Sequence, residues 1–264
     1  MRRLLIRSGA IGDCIVALPA LEYLKADYTE VWASSTVVPL IRFADRVQRV
    51  PAGIDLLALP GMEPPVALLG YMRTFDSIVS WYGSNQPEFR ARVQELGLPF
   101  EFFPALPASD CRTHVVDFFL AHAGAPPGGA PRIDVTAKTH GSIVIHPFSG
   151  SVRKNWPMMK FRALGDRLPK PLAWCAGPHE PLPAAVKIED LYELACWLAG
   201  ARVYVGNDGG ITHLAAAVGT PVVAIFGPTD PAIWAPRGER VRVVSGDLET
   251  ISVEEVASAV ATLL

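Results

Sequence analysis

The segment that decides the fold class is LLIRSGAIGD, residues 4–13. Its first four residues, 4–7, form a short apolar run typical of a buried β-strand. A turn that carries two glycines follows, and from Asp13 onward the apolar residues recur at helical spacing over 12–25. A strand that leads through a glycine turn directly into a helix is the opening of a β-α-β unit, in which successive strands lie parallel.

The same alternation of strands and helices continues through the first half of the chain. Further strands are predicted at 30–33, 77–81 and 100–103, and further helices at 87–96 and 112–123. Alternation of this kind predicts a parallel sheet with helices on both faces.

A linker interrupts this pattern at APPGGAP, residues 125–131. The alternation then restarts, with strands predicted at 142–146, 172–175, 203–205, 222–226 and 241–244 and helices at 158–168, 188–199, 210–218 and 253–263. We therefore predict two α/β units joined near residues 125–140, without an internal repeat at a fixed period. Two such units facing each other leave a cleft at the carboxyl ends of their strands, where ligands usually bind.

Composition excludes several classes of protein. Half of the 264 residues are apolar, which is enough for sizeable cores and rules out a disordered chain. Lys and Arg number 24 against 26 Asp and Glu, and this balance lacks the positive charge of a nucleic-acid or anionic-membrane binder. No apolar stretch approaches the roughly 18 residues of a spanning helix, and the charges of Arg7 and Asp13 interrupt the MRRLLI start. The four cysteines are widely spaced and favour a reducing, cytoplasmic environment.

The first chemically suggestive segment is the turn before Asp13. A dinucleotide fingerprint would need glycine at Ile11 and Cys14, and a P-loop would need a following Gly-Lys-Ser/Thr, so neither motif is present. What remains is a carboxylate at a strand-to-helix turn that faces the predicted cleft. It could act as a general base, or it could only complement the dipole of the helix.

The second segment is HPFSGSVRKNWP, residues 146–157. Its hydroxyls and glycine, together with the cation of Lys154, could cradle a phosphate, with Ser149 and Ser151 as donors. Alternatively, it is a solvated loop in which Trp156 and Pro157 pack at the entry to a helix.

The third segment is GNDGGITH, residues 206–213. Asp208 suits the N-cap of the next helix, and Gly209 and Gly210 would let a ligand approach bare backbone N–H groups. His213 lies one turn into that helix, where it could touch a phosphate or be an interior histidine.

Taken together, these segments resemble glycosyltransferase family 9, the bacterial heptosyltransferases. The matching text is LIR-x4-GD-x5-PAL at 5–21, K-x-WP at 154–157, DGG-x2-H-x-AAA-x-G-x-P at 208–221 and FGPTDP at 226–231. The resemblance implies a GT-B fold, with two Rossmann-like domains facing a cleft. It places the acceptor-binding domain at 1–138 and the nucleotide-sugar-binding domain at 139–264, with a last helix able to pack back on the first domain.

The resemblance also assigns roles to residues. It implies Asp13 as the general base and Lys154 as the cation that offsets leaving-group charge. The donor-binding residues that it implies are Ser149, Gly150, Ser151, Lys154, Glu180, Asp208, Gly209 and Gly210. We also predict His213 as a donor-binding residue and Arg7 and Gly12 as acceptor-binding residues, with a solvated surface position as the alternative for Arg7. Other arginines of the first half, Arg42, Arg46, Arg73, Arg90 and Arg92, could pair with an anionic acceptor or lie on solvated helix faces.

The implied activity is a metal-independent, inverting transfer of a sugar, heptose from ADP-heptose, to a lipopolysaccharide-core or other glycan acceptor. The sequence contains no Asp-x-Asp metal motif, in agreement with this expectation. We expect a cytoplasmic monomer, at most peripheral to the inner membrane, that binds no nucleic acid and no cofactor. Two alternatives stay open: a nucleotide-sugar epimerase or hydrolase on the same scaffold, and a non-catalytic nucleotide-sugar-binding module.

Overall fold

The computed structural model describes residues 1–264 and contains two five-stranded sheets. All neighbouring strands within each sheet are parallel, as the alternation predicts. The strands of the first sheet are β1 (Arg2–Arg7), β2 (Tyr28–Ala33), β3 (Arg46–Arg49), β4 (Ser77–Ser80) and β5 (Phe100–Phe102), in the order β3-β2-β1-β4-β5. Those of the second sheet are β6 (Ile143–His146), β7 (Leu172–Trp174), β8 (Val203–Asn207), β9 (Val222–Phe226) and β10 (Val241–Ser245), in the order β10-β9-β8-β6-β7.

Helices cover both faces of each sheet. They are α1 (Ile11–Tyr23), α2 (Val66–Met72), α3 (Pro87–Glu95), α4 (Val115–His122), α5 (Met158–Arg167), α6 (Leu191–Ala199), α7 (Gly210–Ala217), α8 (Pro231–Trp234) and α9 (Val253–Ala261). Every helix predicted from the sequence is present, and the ends shift where a side chain caps the first turn. For example, Asp190 accepts hydrogen bonds from the N–H groups of Tyr192 and Glu193, so α6 begins at Leu191 instead of residue 188.

The last helix packs on the second unit. Val256 and Val260 of α9 belong to the same buried cluster as Phe161 of α5 and Val223 of β9. The expectation that this helix could return to the first domain is therefore wrong, because its apolar face is already covered by α5 and the second sheet.

The two units share one continuous core. The largest buried cluster joins α1 and α4 of the first unit to α6 and α7 of the second, for instance through Ile15 and Leu214. Small residues let α7 approach α1 closely, since Ala215, Ala216 and Ala217 are all buried. The carboxyl ends of both sheets consequently open onto a narrow cleft at the point where α1 and α7 begin.

Candidate active site

The cleft consists of two adjoining chambers. The first chamber, of about 400 Å³, extends over the ends of β6 and β7, and the second, of about 440 Å³, extends over the starts of α1 and α7. They share five small residues: Ala10, Gly12, Gly150, Gly209 and Gly210. We call this shared strip the waist, and a ligand that occupies both chambers must cross it.

The turn between β1 and α1 is held in place by Ser34, which follows β2. Gly9 has a φ of 137°, a conformation that favours glycine. The Ser34 hydroxyl accepts a hydrogen bond from the Gly9 N–H (3.0 Å) and donates one to the Gly9 carbonyl (2.8 Å). Ser34 stands where a dinucleotide-binding protein would carry an acid, so here that position shapes the turn instead.

Asp13 lines the second chamber from the first turn of α1. Its Oδ2 accepts a hydrogen bond from the Ala10 N–H at 3.3 Å, which caps the helix. The side chain is only partly buried, so its other lone pairs remain open to the chamber. Both interpretations of this residue therefore hold structurally: it caps α1, and it presents a carboxylate to the cleft.

Arg7 lies beneath this turn and lines neither chamber. It is buried, its guanidinium stacks over the Phe119 ring at 5.0 Å, and its Nη2 donates to the Asp13 carbonyl at 3.0 Å. Burial lowers the pKa of this guanidinium. The acceptor contact predicted for Arg7 is thus not available, because Asp13 and α1 cover the side chain, and Arg7 instead fixes the backbone that carries Asp13.

An ion pair forms the opposite wall of the second chamber. Lys154 Nζ donates to Asp208 Oδ2 at 2.7 Å, and the Thr229 hydroxyl donates to the same oxygen at 2.5 Å. Asp208 is buried, whereas the Lys154 side chain is 32% exposed. Asp208 does not cap α7 as predicted. Gly209 occupies the cap position without a side-chain bond, because the Asp208 carboxylate is engaged by Lys154 and Thr229.

The start of α7 closes the waist. The first-turn N–H groups of a helix have no intrahelical partner, so those of Gly210 and Ile211 can donate hydrogen bonds to an anion. His213, one turn further, is buried and lines the second chamber beside Gly12 and Asp13. Burial lowers the pKa of His213 to about 4, so its imidazole is neutral at pH 7.

The loop 147–155 reaches the waist from the second unit. The Ser149 hydroxyl contacts Asn155 Oδ1 (2.7 Å) and the Ser151 carbonyl (2.8 Å), so it holds the loop closed on itself. Ser149 lines the first chamber, Ser151 lines the second, and Gly150 lines both. Asn207, at the end of β8, ties this loop to the sheet, since it donates to the Pro147 carbonyl at 2.9 Å.

Glu180 and His146 form the polar end of the first chamber. Glu180 Oε2 accepts hydrogen bonds from the Gly177 N–H (2.5 Å) and from His146 Nε2 (3.2 Å). Burial raises the pKa of Glu180, but these hydrogen bonds and the nearby Lys187 charge outweigh that effect, and the pKa is lowered overall. The rest of the wall is mainly apolar: Phe148, Cys175, Ile188, Leu191 and Leu194. Burial raises the pKa of the Cys175 thiol to about 12, so this cysteine is an apolar wall residue and not a nucleophile.

The structure brings the other predicted residues together around the cleft, with Arg7 as the exception. Sequence reasoning missed Thr229, Asn207 and the half-buried Trp234, which also lines the second chamber. Thr229 lies within the FGPTDP segment, which is part of the resemblance, but no local pattern predicts its contact with Asp208. No group of three or more His, Cys, Asp or Glu side chains is placed to hold a metal ion, and no helix is long and apolar enough to cross a membrane.

Comparisons with known proteins agree with this geometry. Residues 187–260, which include α6, α7 and the ion-paired Asp208, match the sequence model of Glycosyltransferase family 9 (heptosyltransferase). Lipopolysaccharide heptosyltransferase 1 of Salmonella typhimurium is 36% identical over 104 residues, covering 33% of this chain and 32% of the relative. Lipopolysaccharide heptosyltransferase 3 of Escherichia coli is 28% identical over 113 residues, covering 36% of this chain and 33% of the relative. Over part of its length, the chain is therefore similar to glycosyltransferase family 9.

The fold of this chain is GT-B. The solved structure of E. coli ADP-heptose lipopolysaccharide heptosyltransferase II superposes with a TM-score of 0.76 at 16% identity, covering 100% of this chain and 98% of that one. The sequence matches span about a third of the length of the curated relatives, while the fold similarity extends over the whole chain.

Proposed function

We propose that this chain is a family 9 glycosyltransferase that moves a sugar from a nucleoside diphosphate donor to a hydroxyl of a glycan acceptor. The observation that carries the proposal is that the Asp13 carboxylate and the Lys154–Asp208 pair line one chamber, beside the start of α7. A base for the acceptor and a cationic site for the leaving group therefore lie around the same space. The first unit, 1–138, would supply the base, and the second, 139–264, would hold the donor.

The donor fits across the two chambers. Its nucleoside would occupy the first chamber, where the lowered pKa of Glu180 keeps an ionised carboxylate available to ribose hydroxyls. Its diphosphate would lie at the waist, against the free N–H groups of α7 and the glycines on either side. The sugar would then enter the second chamber, within reach of Lys154, Asp208 and Asp13.

The chemistry follows from this placement. The acceptor oxygen forms a bond to the anomeric carbon as the bond from that carbon to the diphosphate oxygen breaks. Asp13 takes the acceptor proton, and the bonding electron pair leaves with the nucleoside diphosphate. Lys154 and the α7 N–H groups stabilise the negative charge that develops on the departing oxygen, a role that other enzymes give to a metal ion. Attack from the face opposite the diphosphate inverts the anomeric configuration.

We further propose that the donor is ADP-heptose and that the enzyme acts in the cytoplasm as a monomer, without a cofactor. This donor is supported by the similarity in fold to E. coli ADP-heptose lipopolysaccharide heptosyltransferase II. The acceptor would be a glycan or glycolipid, reached at most by peripheral contact with the inner membrane face.

An assay of nucleotide release and sugar transfer tests the proposal. The enzyme is incubated with ADP-heptose, with and without oligosaccharides prepared from deacylated lipopolysaccharide. We expect ADP release that depends on the acceptor, and a product whose NMR couplings show inversion. Isomerised donor or full-rate ADP release without acceptor would instead support an epimerase or a hydrolase. Donor binding without any turnover would support a binding module.

A further inference from the structure

Part of the wall of the second chamber is apolar. Val16, Leu106 and Trp234 line the chamber together with Asp13 and Lys154. Leu106 is 54% exposed although it is a large apolar residue, and Trp234 is half-buried. Exposed apolar side chains that line a cleft beside a few polar groups are typical of a ligand-contact surface.

The chain segment that carries Trp234 is held from the first unit. His114 Nδ1 accepts the Val116 N–H at 3.2 Å, so the proton of its ring lies on Nε2, which donates to the Ala235 carbonyl at 3.0 Å. Two residues further, Arg237 makes a bidentate ion pair with Asp117 of α4. These contacts fix the backbone on one side of Trp234, and so the position from which its indole lines the second chamber.

The charged groups of the second chamber are Asp13, Asp208 and Lys154. Lys154 is already paired with Asp208, and His213 is neutral at pH 7 because burial lowers its pKa. Asp13 therefore leaves the chamber with one net negative charge, to which a donor diphosphate adds more. A phosphate or carboxylate on the acceptor would be repelled by these negative charges.

The arginines that could have paired with an anionic acceptor are engaged elsewhere. Arg46 donates to the Tyr71 hydroxyl at 2.8 Å, and Arg92 pairs with Glu63 and Glu95. Arg42 stacks over Tyr192, Arg90 over Phe102, and Arg73 donates to the Leu96 carbonyl. All five lie outside the second chamber, and four of them are exposed, while Arg92 is partly buried.

We propose that the acceptor sugar is uncharged at and around its reacting residue and stacks on the indole of Trp234. This inference rests on the proposed function and names the acceptor class of the same site. An aromatic ring binds the C–H face of a neutral sugar by dispersion and weak C–H contacts, and leaves the hydroxyls free to point away. The stacked sugar can then present one hydroxyl to Asp13, while Leu106 covers its outer edge.

Matched acceptor pools test the charge of the acceptor. ADP-heptose transfer is measured to deacylated lipopolysaccharide oligosaccharides and to the same pool after phosphatase treatment and carboxyl reduction. We expect kcat/KM to be at least tenfold higher with the neutralised pool. Equal or better transfer to the charged pool would overturn this inference and leave the proposed function standing. Absence of transfer to both pools would overturn the proposed function and this inference with it.

Variants test the stacking surface. Trp234→Ala should raise the acceptor KM at least tenfold and leave the donor KM unchanged, and Trp234→Phe should recover most of the loss. Trp197→Ala is the matched control, because Trp197 is half-buried in α6 and stacks on His140, outside both chambers. Leu106→Arg should improve kcat/KM for the charged pool several-fold. An unchanged acceptor KM in Trp234→Ala, with thermal unfolding like that of the parent protein, would contradict the assignment.

Discussion

The backbones of Gly12 and Gly210 touch across the cleft. A Cβ added to Gly210 would lie 3.0 Å from the Gly12 nitrogen and 2.9 Å from the Ile11 Cβ. One added to Gly12 would lie 3.4 Å from the Gly210 Cα. The first turns of α1 and α7 are therefore in direct contact, and the distance between Asp13 on one helix and the anion-binding end of the other depends on this pair of glycines.

Replacing Gly210 with alanine should weaken both folding and donor binding. The added methyl group meets backbone and Cβ atoms that cannot rotate away, so α1 and α7 must separate, at a cost of about 1–3 kcal/mol in the free energy of unfolding. Urea denaturation and ADP titration measure the two effects.

Gly70→Ala is the matched control for this substitution. Gly70 is exposed within α2, and an added Cβ meets no atom within 4 Å. Alanine should therefore stabilise the protein there by up to about 1 kcal/mol through helix propensity. A similar gain in Gly210→Ala would show that the two helices do not depend on the glycine contact.

The sequence predicts a site residue when that residue lies in a turn with a recognisable local pattern. Asp13, Lys154 and Asp208 lie in glycine-bearing or polar turns at strand ends, and parallel topology brings such turns to one edge of the sheet. Contacts between the units, such as the one between Arg237 and Asp117, join residues 120 positions apart and carry no local signal. The burial of Arg7 likewise has no local signal, because the end of a strand does not determine on which side of the following helix the side chain lies.

The same distinction explains why the sequence does not predict β3, α8 and α2, a helix of only seven residues. β3 (Arg46–Arg49) is a short edge strand without a fully buried residue, so its sequence has no apolar pattern. α8 is a single turn, which is too short for periodicity to show. Trp234 is nevertheless the last residue of α8, so the position of this short helix determines where the indole lines the second chamber. Apolar periodicity thus predicts the framework, whereas the position of Trp234 depends on contacts between the two units, such as those of His114 with Ala235 and of Arg237 with Asp117.

The variant Asp13→Asn should separate chemistry from donor binding. Asparagine can still accept the Ala10 N–H, so the cap of α1 is retained, but its amide cannot take the acceptor proton. Transfer should fall by about 10²–10⁴-fold, the usual contribution of a general base, with an unchanged Kd for ADP. The control is Glu22→Gln, which removes an exposed carboxylate from the same helix. Full turnover by Asp13→Asn would remove Asp13 from the mechanism.

Loss of Lys154 should affect both stability and nucleotide affinity. Lys154→Met leaves the buried Asp208 carboxylate with Thr229 as its remaining side-chain donor, at a cost of about 1–3 kcal/mol in the free energy of unfolding. Affinity for ADP should fall at least tenfold, because the diphosphate loses its cation. Lys25→Met, at an exposed position on the first unit, should change neither quantity.

The double variant Lys154→Met with Asp208→Asn distinguishes these two effects. Removing the Asp208 charge also removes the uncompensated buried anion, so much of the lost stability should return. The affinity for ADP should stay low, because no cation has been restored. Calorimetric titration that shows recovered ADP binding in the double variant would exclude Lys154 from direct contact with the diphosphate.

Burial of His213 should make the folded protein less stable in mild acid. Its pKa is near 6.5 in the unfolded chain and lowered to about 4 in the folded one. As the pH falls from about 6.5 to about 4, His213 therefore binds a proton in the unfolded state but not in the folded state. The free energy of unfolding then decreases by at most about 1.4 kcal/mol per pH unit from this residue.

His213→Gln lacks this titration, so its stability should decline less steeply between pH 7 and pH 5 in urea denaturation. His179→Gln, at an exposed histidine, should follow the parent protein. Parallel slopes for the parent and His213→Gln would contradict this prediction, because they would mean that burial does not lower the pKa of His213.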